Sequence, residues 1–269
     1  MTKQTKIKGI VLAGGLGRRL GPLTEITNKH LLPIWDRPMI FYPLRTLLEA
    51  GIDDVLIVTG GQNPGDFMRL LGDGREFGFR HLAFTYQKGQ GGIAAALACA
   101  EEFAAGGPIC VVLGDNILQG SIRPQVARYG RQGGGARILL KKVANPERFG
   151  VARLKGKILT GIVEKPKTPP SPYAVIGVYF YDSEVFQVIR GLRPSRRGEL
   201  EIADVTNAYL RAGRLTYGAM PGWWTDAGTV ESLHLASSLA ARTWFGPNAK
   251  DTFWPPFDRW VTHRLRASR

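Results

Sequence analysis

The sequence predicts an α/β protein whose central sheet is mixed and mainly parallel, with helices on both faces. Two observations lead there. Over the first 115 residues, short wholly apolar runs alternate with amphipathic helical stretches, the pattern of strands buried on both faces and joined by helical crossovers. Beyond them, strand-like runs follow one another with fewer helices between, which adds antiparallel pairing to the parallel half. The chain has 269 residues, enough to bury one large α/β core.

The elements follow in order. Lys8 to Ala13 is an apolar run and reads as the first strand. Residues 38–50 read as a helix, with Ile40, Leu44, Leu47 and Leu48 on one face. Residues 54–59 form a second buried strand, 65–71 a short helix, 82–87 a third strand, 92–103 an alanine-rich helix and 108–113 a fourth strand. In the second half, residues 137–143, 150–154, 158–164 and 173–181 read as strands, and 183–190 and 201–212 as helices. A late strand at 215–220 and a helix at 229–242 complete the pattern. Residues 244–260 are rich in Pro, Trp and Phe without a clear period, a segment able to dock on the core or on a second subunit, or to stay loosely held. The two cysteines, Cys99 in the alanine-rich helix and Cys110 in a strand, read as small buried apolar residues, not as a disulfide framework.

Lys and Arg outnumber Asp and Glu by 36 to 22, a net charge of +14. Such a surface attracts polyanions. The basic residues are scattered, however, with their densest runs at Arg193-Pro194-Ser195-Arg196-Arg197 and around Arg259, Arg264, Arg266 and Arg269. No helix-turn-helix, zinc-ligand spacing or aromatic platform accompanies them, so no specific nucleic-acid partner is expected. Part of the charge is available to draw in anionic substrates. No apolar run reaches the roughly 18 residues of a membrane span. The polar opening Met1-Thr2-Lys3-Gln4 lacks the apolar core of a secretory leader, so no membrane partner and a cytoplasmic location are expected.

Ligands of doubly wound sheets gather at the carboxyl ends of the strands. Two features lie there: the loop Leu12-Ala13-Gly14-Gly15-Leu16-Gly17-Arg18-Arg19-Leu20 after the first strand, and Asp115 after the fourth. Glycines let backbone N–H groups approach a phosphate chain. No Gly-Lys-Ser/Thr follows, so the loop is not a P-loop, and Leu20 stands where the dinucleotide fingerprint needs its third glycine. Taken alone it is a generic anion loop or an ordinary turn. Arg18, Arg19 and Lys29 nearby favour phosphate.

This loop, with Pro22-Leu23-Thr24, Asn28-Lys29-His30-Leu31-Leu32-Pro33 and Arg37-Pro38-Met39-Ile40, resembles the opening of the sugar-1-phosphate nucleotidyltransferases, most nearly the glucose-1-phosphate thymidylyltransferase family. The likeness continues through Leu113-Gly114-Asp115-Asn116-Ile117, Glu164-Lys165-Pro166-Lys167, Tyr173 to Asp182, Gly198-Glu199-Leu200-Glu201-Ile202 and Trp224-Thr225-Asp226-Ala227-Gly228-Thr229, in the family's order, over about residues 7–240. It implies a Rossmann-like three-layer α/β/α nucleotidyltransferase fold over residues 1–242. A nucleotide-binding half would span 1–115 and a sugar-binding half 116–242, and a divergent basic, aromatic tail would follow at 243–269.

The resemblance implies that a sugar 1-phosphate oxygen attacks the α-phosphorus of a nucleoside triphosphate and pyrophosphate leaves, with glucose 1-phosphate and dTTP as substrates and Mg²⁺ as cofactor. Arg19, Lys29 and Lys165 would then be the catalytic cations, the first two on the triphosphate and Lys165 on the sugar phosphate. Leu12, Gly14, Gly15, Gly17, Arg19, His30, Gln87 and Gly92 would bind the nucleotide. Asn116, Gly150, Glu164, Lys165, Val175 and Trp224 would bind the sugar. Asp115 and Asp226 would hold the metal, since Mg²⁺ is usually bound by one or two carboxylates plus substrate phosphates. Each residue also has a plainer reading: a turn cap for Asp115, a strand-end ion pair with Lys165 for Glu164, core packing for Trp224.

Three positions depart from the family pattern. His30 stands where a glutamine facing the base is common. The loop Gln87-Lys88-Gly89-Gln90-Gly91-Gly92 lacks the usual Pro and Asp, and Phe149 replaces a tyrosine. UTP or another sugar 1-phosphate is therefore the alternative within this chemistry. A non-catalytic nucleotide-sugar-binding regulator is disfavoured, because all the charge-neutralising residues are retained. Self-association into a homo-oligomer is expected, since the apolar residues of the tail would otherwise form an exposed patch.

Overall fold

The computed structural model describes residues 6–244. Beyond Trp244 the aromatic, basic tail expected from residue 243 onward lies outside the described residues. The first half runs β1 (Lys8–Ala13), a small hairpin of β2 (Pro33–Ile34) and β3 (Arg37–Pro38), α1 (Phe41–Glu49), β4 (Asp54–Gly60), α2 (Gly65–Leu71), β5 (His81–Gln87), α3 (Ile93–Ala98), α4 (Glu101–Ala104) and β6 (Ile109–Leu113). The second half runs β7 (Asn116–Leu118), α5 (Arg123–Gln132), β8 (Ala136–Lys142), β9 (Gly150–Lys155), β10 (Ile158–Glu164), β11 (Tyr173–Tyr181), α6 (Glu184–Arg190), α7 (Ile202–Arg211), β12 (Leu215–Ala219), β13 (Trp224–Asp226) and α8 (Val230–Trp244).

The main sheet has nine strands in the order β10-β9-β11-β6-β1-β4-β5, with β8 on β11 and β12 on β8. It is mixed, as expected. β6, β1, β4 and β5 are mutually parallel, and β12 is parallel to β8. The antiparallel pairings centre on β11, which pairs with β6, β8 and β9, while β9 and β10 form a hairpin. Side chains alternate across the parallel strands as period-2 geometry requires. Val11, Ala13, Val55, Ile57, Cys110 and Val112 enter one core with Phe41, Leu44 and Leu47 of α1 and Phe67 and Leu71 of α2. Ile10, Leu12, Leu56, Val58, Ile109 and Val111 enter the other with residues of α3, α6 and α7. Both faces of the sheet are thus covered by helices, which makes three layers.

Most elements fall where the hydrophobic pattern puts them. The exceptions have local causes. The helix expected at 38–50 starts only at Phe41, because Arg37 and Pro38 pair with Ile34 and Pro33. The alanine-rich helix breaks after Ala98. Cys99 caps its first segment and is exposed, not buried, whereas Cys110 is fully buried. Helix α5 was not foreseen. Its sequence Arg123-Pro124-Gln125-Val126-Ala127-Arg128-Tyr129-Gly130 has a thin apolar stripe, and it buries Gln125 and Tyr129 instead of a leucine row. Gln125 accepts from the buried Arg137 guanidinium at 2.8 and 3.1 Å. No helix among the described residues is long and apolar enough to cross a membrane.

One topological detail opens the cleft. Val178 to Tyr181 of β11 pair with β6, but further up the same strand Ala174 pairs with Val151 of β9. Between these two pairings β6 has ended and the chain turns away at Asp115. There the buried backbone N–H of Gly177 is met by a side chain: it donates to Asn116 Oδ1 at 2.8 Å.

Candidate active site

Two adjoining pockets fill that opening. One is lined by Leu12, Gly14, Gly15, Lys29, His30, Gln87, Gln90, Gly92 and neighbours. The other is lined by Arg19, Asn116, Arg148, Gly150, Glu164, Lys165, Val175, Trp224 and Asp226, among others. They share Ile93, Leu113 and Asp115. Of the expected site residues, Gly17 alone lies in neither lining. Its backbone is left-handed at φ 66°, and it caps the turn Arg18–Leu20 that carries Arg19 into the second pocket. Glycine suits that conformation because a Cβ is disfavoured there.

The first pocket is built at the carboxyl ends of β1, β4 and β5. Asn28 is buried, and its Nδ2 donates to Ala13 O and Gly60 O at 3.3 Å each, tying the loop after β1 to β4. That orientation turns Asn28 Oδ1 toward His30, where it accepts from the backbone N–H at 3.0 Å and lies 2.7 Å from the ring Nδ1. Nδ1 therefore carries the proton, and Nε2 is left as an acceptor. Burial, then the neighbouring Lys29 charge, push the His30 pKa down to about 3, so the ring is neutral at ordinary pH. Gln87 closes β5 with its side chain buried against Gly14. Gln90, in the divergent loop but given no role from the sequence, reaches across to the Gly14 carbonyl at 3.3 Å.

The second pocket is assembled from the second half of the chain. β13 pairs antiparallel with β7, in the register Trp224–Leu118, Thr225–Ile117 and Asp226–Asn116. Ala227 N–H then donates to the Asp115 carbonyl at 2.8 Å. This three-residue ladder brings Asp226 beside Asp115 although the two are far apart in sequence. Trp224 is nearly buried and its indole N–H donates to Asn116 Oδ1 at 2.7 Å, so it braces Asn116 as well as walling the pocket. Phe149 packs edge-on against Trp224 with ring centroids 4.9 Å apart. At the start of β9, Gly150 pairs with Glu164 at the end of β10.

Lys165, directly after β10, has a left-handed backbone at φ 40°, unusual for a non-glycine residue and of a kind found at functional sites. Its N–H donates to Phe149 O at 3.0 Å, while its ammonium lies a loose 3.8 Å from Glu164 Oε1. The ion pair suggested by the sequence is thus a weak one that leaves the amine available. Glu164 is held above the usual carboxylate range, chiefly by burial and partly by repulsion from Glu201, against the opposing pull of Lys165 and Arg197. Arg197, from the densest internal basic run, is drawn toward Glu199 at 2.8 Å and toward Glu201 and Glu164 at 3.4 and 3.6 Å.

The two aspartates differ. Lys29 Nζ lies 2.5 Å from Asp115 Oδ2, and Asn116 Nδ2 donates to Asp115 Oδ1 at 2.9 Å. Burial alone would raise the Asp115 pKa, but Lys29, His30 and the Asn116 hydrogen bond together outweigh it, and the carboxyl falls well below its usual range. Asp226 is raised by burial and then by Asp115, with Arg148, Arg19 and Lys29 opposing. Arg148 also went unnoticed in the sequence. Its Nη2 lies 3.1 Å from Asp226 Oδ1 and 3.2 Å from Oδ2. A Cβ on Gly228 would sit 3.1 Å from both Arg19 Nη2 and Asp226 Oδ2, and 3.8 Å from Asp115 Oδ2. The missing side chain there leaves a small space where a guanidinium and two carboxylates converge.

The chain is similar to known proteins. The nucleotidyl transferase family profile matches residues 8–243. A glucose-1-phosphate thymidylyltransferase of Actinoplanes sp. is 47% identical over 232 residues, 83% of this chain and 75% of that protein. The enzyme of the same name from Neisseria meningitidis serogroup A is 44% identical, over 87% of this chain and 82% of its own length. A crystal structure from Bacillus anthracis, assigned as a glucose-1-phosphate thymidylyltransferase and solved with sucrose, superposes with a TM-score of 0.85 at 48% identity, covering 91% of this chain and all of that one. With its fold, its paired pockets and these relatives in agreement, the chain belongs to the nucleotidyl transferase family, alongside the glucose-1-phosphate thymidylyltransferases.

Proposed function

We propose that the chain transfers the thymidylyl group of dTTP to glucose 1-phosphate, giving dTDP-glucose and pyrophosphate. The observation that carries this reading is the shared wall at Asp115: a pocket lined by the glycine loop meets a pocket lined by Asn116, Gly150, Glu164 and Val175 at one carboxylate. Two substrates placed there would bring an attacking phosphate oxygen and an α-phosphorus to the same point, and holding reactants in line is a large part of catalysis.

Each residue then has a task. Backbone N–H groups at Gly14, Gly15 and Gly17 cradle the triphosphate. Arg19 and Lys29 neutralise the charge that builds on the leaving pyrophosphate. Lys165 fixes the sugar phosphate as nucleophile. Glu164 accepts from sugar hydroxyls, and Gly150 and Val175 act through their backbone. Gln87, both donor and acceptor, and the bare Nε2 of His30 suit the imide edge of thymine or uracil, which alternates acceptor, donor, acceptor. Leu12 and Gly92 complete the base pocket, and Asn116, braced by Trp224, the sugar pocket.

Asp115 and Asp226 are the residues that would hold Mg²⁺. Their carboxylates approach one small space at Gly228, and two hard oxygen donors without a histidine or cysteine suit this cation when phosphate oxygens complete its shell. When bound, the ion would screen the phosphates and stabilise charge in the transition state. The remaining expectations rest on chemistry: the cytoplasm is where nucleoside triphosphates are held. Self-association would cover exposed apolar side chains such as Trp35, Val230 and Leu235, of which Trp35 lies against α8 through its N–H bond to Ser237.

The test is a matrix of dTTP, UTP, CTP, ATP and GTP against several sugar 1-phosphates, read as pyrophosphate release with and without Mg²⁺. The highest rate is expected for dTTP with glucose 1-phosphate. No release from any pair would overturn the catalytic reading, and an equal or higher rate with UTP would overturn the base assignment.

A further inference from the structure

Asp115 and Asp226 are each held by a cation of the chain, but in different ways. Lys29 meets one oxygen of Asp115, and both side chains are largely enclosed, 12% and 17% exposed. Arg148 instead places one guanidinium nitrogen within 3.2 Å of both oxygens of Asp226, and its side chain is 35% exposed while the carboxylate is 13% exposed. Arg148 therefore reaches in from the mouth of the sugar-side pocket, with room to withdraw.

Its base is firm. Arg148 ends the turn Pro146–Arg148, closed by Phe149 N–H donating to Pro146 O at 3.0 Å. The Phe149 carbonyl in turn accepts from Lys165 N–H at 3.0 Å. The guanidinium lies 5.3 Å from the Phe149 ring centroid, and that ring packs on Trp224. Arg148 and Lys165 thus spring from neighbouring, hydrogen-bonded points on the rim of one pocket. A guanidinium is always charged, and Arg148 takes part of the acceptor capacity of both Asp226 oxygens that a divalent cation would draw on. Two cations on one partly enclosed carboxylate repel each other, so loading one weakens the hold of the other.

We infer that Arg148 is an exchangeable counter-ion of Asp226: it holds the carboxylate until a divalent cation takes its place, and the freed guanidinium then engages the phosphate of the incoming sugar 1-phosphate. Guanidinium is well matched to phosphate, offering paired donors where lysine offers a point charge. The exchange links metal loading to sugar-phosphate capture through one residue. Arg148 is in this sense a positioning residue for Asp226 and a binding residue for the second substrate. The inference rests on the reading that Asp226 is a metal ligand.

The experiment uses Mn²⁺ as the probe cation, with its binding to nucleotide-free protein followed by electron paramagnetic resonance. Arg148→Met is expected to bind Mn²⁺ about fivefold more tightly than the parent, because a competing charge has gone. The same variant should raise KM for glucose 1-phosphate about tenfold while KM for dTTP stays within about twofold. Arg148→Lys, which keeps the charge and places less demand on folding, should fall between parent and Met variant in both. Unchanged or weaker Mn²⁺ binding in Arg148→Met overturns the exchange, and an unchanged KM for the sugar phosphate overturns the handover. Asp226→Asn separates this from the underlying reading: if it binds Mn²⁺ as well as the parent, Asp226 is not a metal ligand and the metal assignment itself fails.

Discussion

Asp115 and Asp226 meet at Gly228 but come from different surroundings. Asp115 follows β6 of the parallel half, beside Lys29, the neutral His30 and the tightly bonded Asn28, in a pocket of buried groups with fixed partners. Asp226 lies in the short β13, in a pocket whose charges are looser: Arg148 and Lys165 are partly exposed, and Glu164 and Asp226 are both raised by burial. The first pocket is pre-organised by hydrogen bonds between the strands. The second combines a short strand ladder and aromatic packing with cations that are partly exposed.

The comparison can be broken at its shared wall first. Asp115→Asn is expected to lower turnover by about 10²–10³-fold, the usual scale for removing one charge-stabilising group from a polar-transition-state site. Pyrophosphate release would measure it, with a retained circular dichroism spectrum showing that the fold survives. A comparable loss in Asp226→Asn would join the two carboxylates in one task, and a much smaller one would separate them.

Next come variants that divide the pockets. Glu164→Ala is expected to raise KM for glucose 1-phosphate about 10–50-fold, because it removes charged acceptors for hydroxyls, and to leave KM for dTTP within about twofold. Gln87→Ala should do the reverse. If both constants move together in either variant, the two pockets do not act separately.

A smaller effect should come from Gly228→Ala. Its Cβ would press on Arg19 Nη2 and Asp226 Oδ2 at 3.1 Å, so those groups must give way by a few tenths of an ångström. A loss of about tenfold in kcat, with the melting temperature little changed, is the expected result. An unchanged kcat would mean that the convergence at this point is not used.

The smallest expected effect is on stability, and it belongs to the nucleotide side alone. The unfolded chain protonates His30 near the ordinary imidazole value of 6.5, but the folded chain resists protonation down to about 3. Below the unfolded value the unfolded state holds the extra proton. The His30 contribution to stability is therefore complete above that pH and declines as pH falls, by about 1.4 kcal/mol per unit until the folded value is reached. His30→Gln should flatten this acid dependence in denaturant titrations at neutral and mildly acidic pH. A slope identical to the parent's would show that the imidazole is not held neutral.

Much of this was legible before any coordinates. The strands β1, β4 and β11 lie where apolar runs put them, because a strand buried on both faces must be largely apolar. The glycine loop, Lys29, Asp115, Lys165 and Asp226 were singled out by residue type and by company. Other parts left little trace. β7 and β13 are three residues each, too short for a period, yet their pairing carries Asp226 to Asp115. Helix α5 rests on a polar Gln125–Arg137 contact that hydrophobic spacing does not register. Arg148 is one arginine among many, and only its distance to Asp226 marks it out. Cys99 was misread because the helix breaks just where it stands.

Sequence alone thus determined the α/β layering, the glycine loop and the family to which the chain belongs, since these depend on local patterns: apolar periodicity, glycine placement and blocks of residues in order. The tertiary structure decided what depends on distance. It opened the cleft where β11 passes from β6 to β9, brought two aspartates together across a three-residue ladder, set the protonated nitrogen of His30 through Asn28, and placed Arg148 on Asp226. Charge interactions and hydrogen bonds act over a few ångströms, and only the folded chain brings these residues within that reach.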